Sequence, residues 1–248
     1  MSTKEKKIEI IAGPCSAESE EQLLDTADGL NNIGVKVFRA GIWKPRSRYG
    51  SFEGVGIKAL QWLESVRQKY GMEIMTEVAT PNHVDCVLKY NIDRLWIGAR
   101  TSVNPFMMSE LSEALRGIKI PVFIKNPLCP DVELWKGAVE RLLKADISDV
   151  RLIHRGFCLL DNSSYRNTPL WNLCTEVQRE FGDIRLYCDP SHIAGKREYI
   201  PELCTAALNY DVDGFFIESH VNPDVALSDS KQQLKPIDLN KLIKEIIK

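Results

Sequence analysis

Arg185-Leu186-Tyr187-Cys188-Asp189-Pro190-Ser191-His192 sets the pattern for the whole chain. Leu186 to Cys188 is a short apolar run with the character of a buried strand. Pro190 has no N–H for a sheet ladder and biases Asp189 away from helix, so the strand ends there. His192 is then expected in the loop just past the carboxyl end of a strand, ahead of the next helix. In parallel α/β folds this is the end where ligands and chemistry gather.

The same unit recurs outward from this stretch. Short apolar, β-branched runs at residues 8–12, 35–38, 74–75, 94–97, 121–124, 150–153, 186–188 and 214–217 read as strands. Between them, apolar spacing of helical period predicts helices over 19–31, 54–69, 81–90, 105–116, 132–144, 169–181, 197–209 and 239–247, with Ser19 as the first N-cap. Continuous apolar strands, rather than alternating ones, suit a parallel sheet covered on both faces. Eight strand-then-helix units in 248 residues predict a single (β/α)8 TIM barrel spanning 1–248, with its active site at the C-terminal rim of the strands. The competing arrangement is an open doubly wound sheet.

Composition excludes several classes. Hydrophobic residues make 44% and charged residues 27%, and 32 basic against 34 acidic side chains give a net charge of −2. That balance offers no global basic field for nucleic acid, and no apolar run approaches the length of a membrane span. Seven cysteines, an odd number without a CxxC pair, and no visible signal peptide argue for free thiols in a reducing cytoplasm. Cys86, Cys174 and Cys204 fall in helical patterns and read as small core residues.

The residues after each strand carry the chemistry. In chain order they are Gly13-Pro14-Cys15-Ser16, Arg39 with Lys44-Pro45-Arg46, Thr76-Glu77, Gly98-Ala99-Arg100, Lys125-Asn126-Pro127, His154-Arg155-Gly156, His192, and Glu218-Ser219-His220 with Asp229 beyond. One group is cationic: Arg39, Lys44, Arg46, Arg100, Lys125 and Arg155. Six cations at one mouth would repel without anions, so the rim points to one or two strongly anionic small molecules. The other group, Cys15, His192, Glu218 and Asp229, is a mixed soft and hard donor set suited to a divalent transition metal such as Mn, Fe, Co or Zn. Position alone leaves open a buried thiol at Cys15 and a hydrogen-bonded loop histidine at 192.

Gly13-Pro14-Cys15-Ser16, Lys44-Pro45-Arg46, Gly98-Ala99-Arg100, Asp189-Pro190-Ser191-His192 and Leu227-Ser228-Asp229-Ser230-Lys231-Gln232 together resemble the 3-deoxy-7-phosphoheptulonate (DAHP) synthases of the type I beta branch, from Ile8 to Lys248. The related 3-deoxy-manno-octulosonate 8-phosphate synthases share much of the rim, but carry a Lys-Ala-Asn-Arg type of segment where this chain has Lys44-Pro45-Arg46. The resemblance implies a transferase of the shikimate pathway. It condenses phosphoenolpyruvate, erythrose 4-phosphate and water into the seven-carbon 3-deoxy sugar phosphate and inorganic phosphate.

It further implies Cys15, His192, Glu218 and Asp229 as metal ligands, with Mn2+ the first expectation and Fe2+, Co2+ or Zn2+ the alternatives. It implies Arg39, Lys44, Ala99, Arg100, Lys125 and Arg155 around phosphoenolpyruvate, Lys44, Pro45, Arg46 and Ser47 around erythrose 4-phosphate, and Glu77 near the attacking water. Lys125, Glu77, His192 and Cys15 form the implied catalytic set, and a homo-oligomer, dimer or tetramer, is implied by relatives. Ser47-Arg48 departs from the Thr-Ser that often follows Lys-Pro-Arg in the family, so Arg48 adds a cation without an assigned target. The chain opens near the first strand and closes at the eighth helix, which leaves no room within it for a regulatory or chorismate mutase unit. The rival readings are an octulosonate or sialic acid synthase, and a catalytically silent phosphosugar-binding barrel.

Overall fold

The computed structural model describes residues 7–246 except 47, 161, 162 and 183. Its elements run β1 (Glu9–Gly13), α1 (Glu20–Asn32), β2 (Val37–Arg39), α2 (Lys58–Tyr70), β3 (Glu73–Val78), α3 (Pro81–Lys89), β4 (Arg94–Ile97), α4 (Ala99–Ser102), α5 (Pro105–Ala114), β5 (Val122–Lys125), α6 (Val132–Lys144), β6 (Val150–His154), α7 (Trp171–Glu180), β7 (Leu186–Cys188), α8 (Pro190–Ala194), α9 (Ile200–Ala207), β8 (Gly214–Glu218) and α10 (Pro236–Ile246). The eight strands pair in parallel and in order. β8 returns to β1 from Glu9 opposite Gly214 to Gly13 opposite Glu218, which closes the barrel. No helix among the described residues is long and apolar enough to cross a membrane.

Strand alternation builds the interior in layers. One bulky residue from each strand fills the middle: Ile11, Val37, Met75, Trp96, Phe123, Ile153, Tyr187 and Phe216. The opposite faces of the strands pack on the helices in a second, larger core that includes Leu23, Leu63, Trp135 and Ile217. Two positions before the middle layer, at the N-terminal end, Arg94 pairs with Glu9 at 3.0 Å and Glu73 at 2.5 Å, and Arg151 pairs with Asp149 at 2.7 Å. Charge therefore occupies both ends of the barrel, and the lower charges close on one another.

Helix starts follow their caps. Ser19, Thr80, Asn104, Asp131 and Asp189 each accept a backbone N–H from the first turn they precede. α2 begins at Lys58, later than its apolar spacing suggests, because Gly54 and Gly56 take φ of 95° and 76°, outside the helical region. The expected helix over 197–209 is interrupted: only Ile200–Ala207 is α-helical, flanked by 3-10 turns. His192 is not in a loop. Asp189 caps a single additional turn, α8, which carries it. Cys174 and Cys204 are core residues as expected, whereas Cys86 is only half-buried.

Candidate active site and metal centre

The layer above the bulky residues, at the C-terminal ends of the strands, holds Arg39, Glu77, Lys125, Arg155, Asp189 and Glu218, all buried. Gly13 belongs to it by position. A Cβ there would fall 2.0 Å from the Arg39 carbonyl oxygen, so only glycine lets the chain turn toward Cys15 this close to β2.

Cys15 is fully buried. Its Sγ donates to Asp229 Oδ2 at 3.3 Å and accepts from Lys44 Nζ at 3.0 Å, and Lys44 also donates to the Cys15 carbonyl at 2.9 Å. Burial pushes the thiol up to about 12, with Glu218 and Asp229 reinforcing the rise against Lys44. Burial opposes the Lys44 charge, but Cys15, Glu77 and Glu218 outweigh it and raise the ammonium. Glu218 accepts from Gln232 Nε2 at 2.7 Å and from Arg39 at 3.3 Å. Arg39 lies over the rings of Trp96 and Phe216 at 4.8 and 4.6 Å, beneath the open cavity.

Asp229 reaches the group from a turn in which it takes φ of 49°, a conformation that aspartate tolerates better than most residues. Arg166 holds it at 2.9 Å. Burial would raise its carboxyl, but His192 and Arg166 hold it well below the usual carboxylate range. Donor atoms of Cys15, Glu218 and Asp229 lie within 4.8 Å of one another. His192 joins through Nε2, 3.8 Å from Glu218 and 4.0 Å from Asp229, while its Nδ1 lies 2.8 Å from Asp189. Ligands at metal bonds of about 2.0–2.3 Å stand at such mutual separations, and a carboxylate behind the imidazole is the usual outer support of a metal-binding histidine. The donor set fits a divalent transition metal.

Asp189 is a second hub. Its Oδ2 lies 2.7 Å from Lys125 Nζ as well as beside His192. Burial alone would raise this carboxyl; His192 and Lys125 drive it well below its usual range. Around and above these groups opens a cavity of about 590 Å³. Lys44, Arg46, Arg48, Arg100, Lys125, Arg155 and Arg166 line it, with Glu77 and Asp229 the carboxylates among them and Pro45 and Ala99 in its wall. Glu77 accepts from Trp96 Nε1 at 3.1 Å. Arg46 donates to Phe52 O at 2.7 Å and to Ser228 Oγ. Arg155 donates to Asn167 Oδ1 at 2.7 Å; burial pushes it down to about 10, against Asp189 and with Arg166 and Arg100.

Over residues 1–248 the sequence matches the DAHP synthetase I family. The chain belongs to that family. It is 34% identical over 239 residues to the phospho-2-dehydro-3-deoxyheptonate aldolase of Thermotoga maritima, covering 96% of this chain and 69% of that protein. It is 30% identical over 254 residues to the 2-dehydro-3-deoxyphosphooctonate aldolase of Bordetella petrii, covering 93% and 86%. The crystal structure of the Thermotoga maritima DAHP synthase superposes with a TM-score of 0.86 at 32% identity, over 98% of this chain and 68% of that one. A truncated form of the Thermotoga maritima synthase gives 0.83 at 30% identity, over 98% and 86%.

Of the residues expected from the family's motifs, Lys44, Pro45, Arg46, Glu77, Ala99, Arg100, Lys125, Arg155, His192 and Asp229 line the one cavity. Cys15, Arg39 and Glu218 sit fully buried, bonded to residues of its floor. Ser47 lies outside the described residues. The DAHP synthetase I family motifs gave no role to Arg166, Asn167, Gln232 or Gln233. Gln232 holds Glu218, and Gln233 Oε1 accepts the Cys15 N–H at 2.9 Å. The signal for the glutamines was their place three and four residues after Asp229. Arg166 and Asn167 lie in irregular chain between β6 and α7 and carry none.

Proposed function

We propose that this chain condenses phosphoenolpyruvate with erythrose 4-phosphate and water to give 3-deoxy-D-arabino-heptulosonate 7-phosphate and inorganic phosphate. Family membership supports the reaction. The observation that carries it is one cavity in which seven cationic side chains face Glu77 and the half-buried Asp229, with Asp229 grouped with buried Cys15 and Glu218 and His192 beside them. Two phosphates and a carboxylate on the substrates match that surplus of positive charge.

The residue roles are those the family resemblance implies. Lys125, Arg155 and Arg100 hold phosphoenolpyruvate, with Lys44 adjacent and Arg39 acting from below by fixing Glu218. Lys44, Pro45 and Arg46, with Ser47, hold the aldose phosphate. This sets C3 of the enol ester against the aldehyde carbon, and holding the two in register lowers the barrier by proximity and orientation. The new C–C bond forms there, water adds at C2, and phosphate leaves by C–O cleavage. Glu77 lines the same cavity, and in this reading it accepts a proton from that water. Cys15, His192, Glu218 and Asp229 would hold a divalent ion, Mn2+ first and Fe2+, Co2+ or Zn2+ as alternatives. That ion would supply Lewis-acid polarisation of the aldehyde oxygen. Relatives further lead us to propose a cytoplasmic homo-oligomer, dimer or tetramer, which sedimentation velocity would test.

Phosphate release with erythrose 4-phosphate against arabinose 5-phosphate tests the substrate. Preference for the pentose phosphate would instead make the chain an octulosonate synthase. Loss of turnover on chelation and its return with Mn2+ is expected; turnover unaffected by both steps would defeat the metal requirement.

A further inference from the structure

Two exposed cysteines, Cys129 and Cys158, play no part in the reaction proposed above. They lie on the segments that follow β5 and β6, the strands that end near Lys125 and Arg155. The Cys158 N–H donates to the carbonyl oxygen of Leu128, the residue before Cys129, at 2.7 Å. Standard backbone dimensions then fix how far apart the two residues can be. The Cys158 Cα lies about 3.7 Å from that oxygen and the Cys129 Cα about 2.8 Å from it, so the α-carbons are at most about 6.5 Å apart. Disulfides span about 4.4–6.8 Å between α-carbons. The remaining cysteines differ. Cys15, Cys174, Cys188 and Cys204 are buried, and Cys86 is half-buried. Burial pushes Cys174 up to about 12 and Cys188 and Cys204 upward as well, which keeps these thiols protonated and unreactive. Cys158 instead is exposed and lines the cavity beside Arg155, open to small disulfides in solution.

We infer that Cys129 and Cys158 form a modification site: a vicinal dithiol that low-molecular-weight disulfides oxidise to a reversible staple across the cavity's edge. The Cys158 thiolate attacks glutathione disulfide, breaking its S–S bond, forming a mixed disulfide and releasing one glutathione. The Cys129 thiolate then attacks the protein-bound sulfur, forming the Cys129–Cys158 bond and releasing a second glutathione. The protein loses two electrons and two protons, and one glutathione disulfide becomes two thiols. The bond joins the segment after Lys125 to the segment after Arg155. A transient redox role is the usual one for a cytosolic disulfide.

The test treats the metal-loaded protein with excess glutathione disulfide, blocks free thiols with N-ethylmaleimide and maps peptides by mass spectrometry. A Cys129–Cys158 crosslink that dithiothreitol reverses is expected. Closing a loop of roughly 30 residues should also raise the melting midpoint by about 7–15 °C. Cys129→Ser should stop at a glutathione adduct on Cys158, and Cys158→Ser should give no crosslink at Cys129; both positions are exposed, so both variants should fold. Separate glutathione adducts persisting on both cysteines of the unsubstituted protein, or both thiols remaining free, would overturn the inference.

Discussion

Asp189→Asn keeps the shape of the hub beneath the cavity and removes its charge. Asp189 is fully buried, and Lys125, 2.7 Å away, is only 6% exposed. The same carboxylate oxygen lies 2.8 Å from His192 Nδ1, and the other accepts the His192 N–H at 3.0 Å. Removing one partner of a buried pair strands the other charge, which costs about 3–5 kcal/mol, whereas an exposed pair is worth about 1 kcal/mol or less. The pH dependence has a definite sign. Burial works to raise the Asp189 carboxyl, but His192 and Lys125 hold it far below its usual value. A depressed native pKa contributes stability that is complete above the unfolded value, about 3.9, and is lost as pH falls below it. Urea unfolding of metal-free protein should therefore show a deficit of about 3–5 kcal/mol in the variant. That deficit should hold steady between pH 5 and 8 and narrow below about pH 4. A deficit under about 1 kcal/mol at pH 7, or one that widens on acidification, would refute the assignment of Asp189 as a buried ionised hub.

Three further outcomes are expected. In Gly98→Ala the new Cβ would fall 2.2 Å from Glu77 Oε1, so the carboxylate must move and kcat should drop about tenfold or more while the fold survives; unchanged kcat would remove Glu77 from the chemistry. His154 is fully buried with neither ring nitrogen bonded, and burial, with Arg155, pushes it down to about 3. Its protonation penalty should remove about 2 kcal/mol of stability between pH 7 and 5, a loss that His154→Leu should spare; parallel acid limbs in urea melts would contradict this. Cys15→Ser replaces an ionisable thiol with a hydroxyl that stays protonated and should weaken Mn2+ binding about tenfold or more, read by metal analysis of gel-filtered protein whose circular dichroism is native; full metal retention would take Cys15 out of the ligand set.

Most of the fold was legible because each strand is a short apolar run with a turn signal behind it, and the barrel simply repeats that unit. What escaped was local. The single turn α8 depends on Asp189 accepting one N–H, and five residues are too few to show a helical period. Arg166 and Asn167 reach the site through contacts with Asp229, Gln232 and Arg155 that join distant parts of the chain, and nothing in their own neighbourhood announces it.

The layering explains why the rim residues were readable at all. Adding two to each bulky interior residue gives Gly13, Arg39, Glu77, Gly98, Lys125, Arg155, Asp189 and Glu218, the floor of the site. Subtracting two gives Glu9, Glu73, Arg94, Arg151 and Arg185, with Val35, Pro121 and Gly214, at the other end, so the same period builds two charged layers and the presence of charge cannot tell them apart. Balance can. Below, Arg94 and Arg151 are matched by Glu9, Glu73 and Asp149 within 3.6 Å, and Tyr187 donates its hydroxyl to Glu9 at 2.6 Å. Above, Lys125 and Arg39 are matched by Asp189 and Glu218, but the cavity over them still carries more cations than carboxylates. A surplus of like charge around one opening is costly unless an anion enters it, and that cost is what separates a binding end from a structural one.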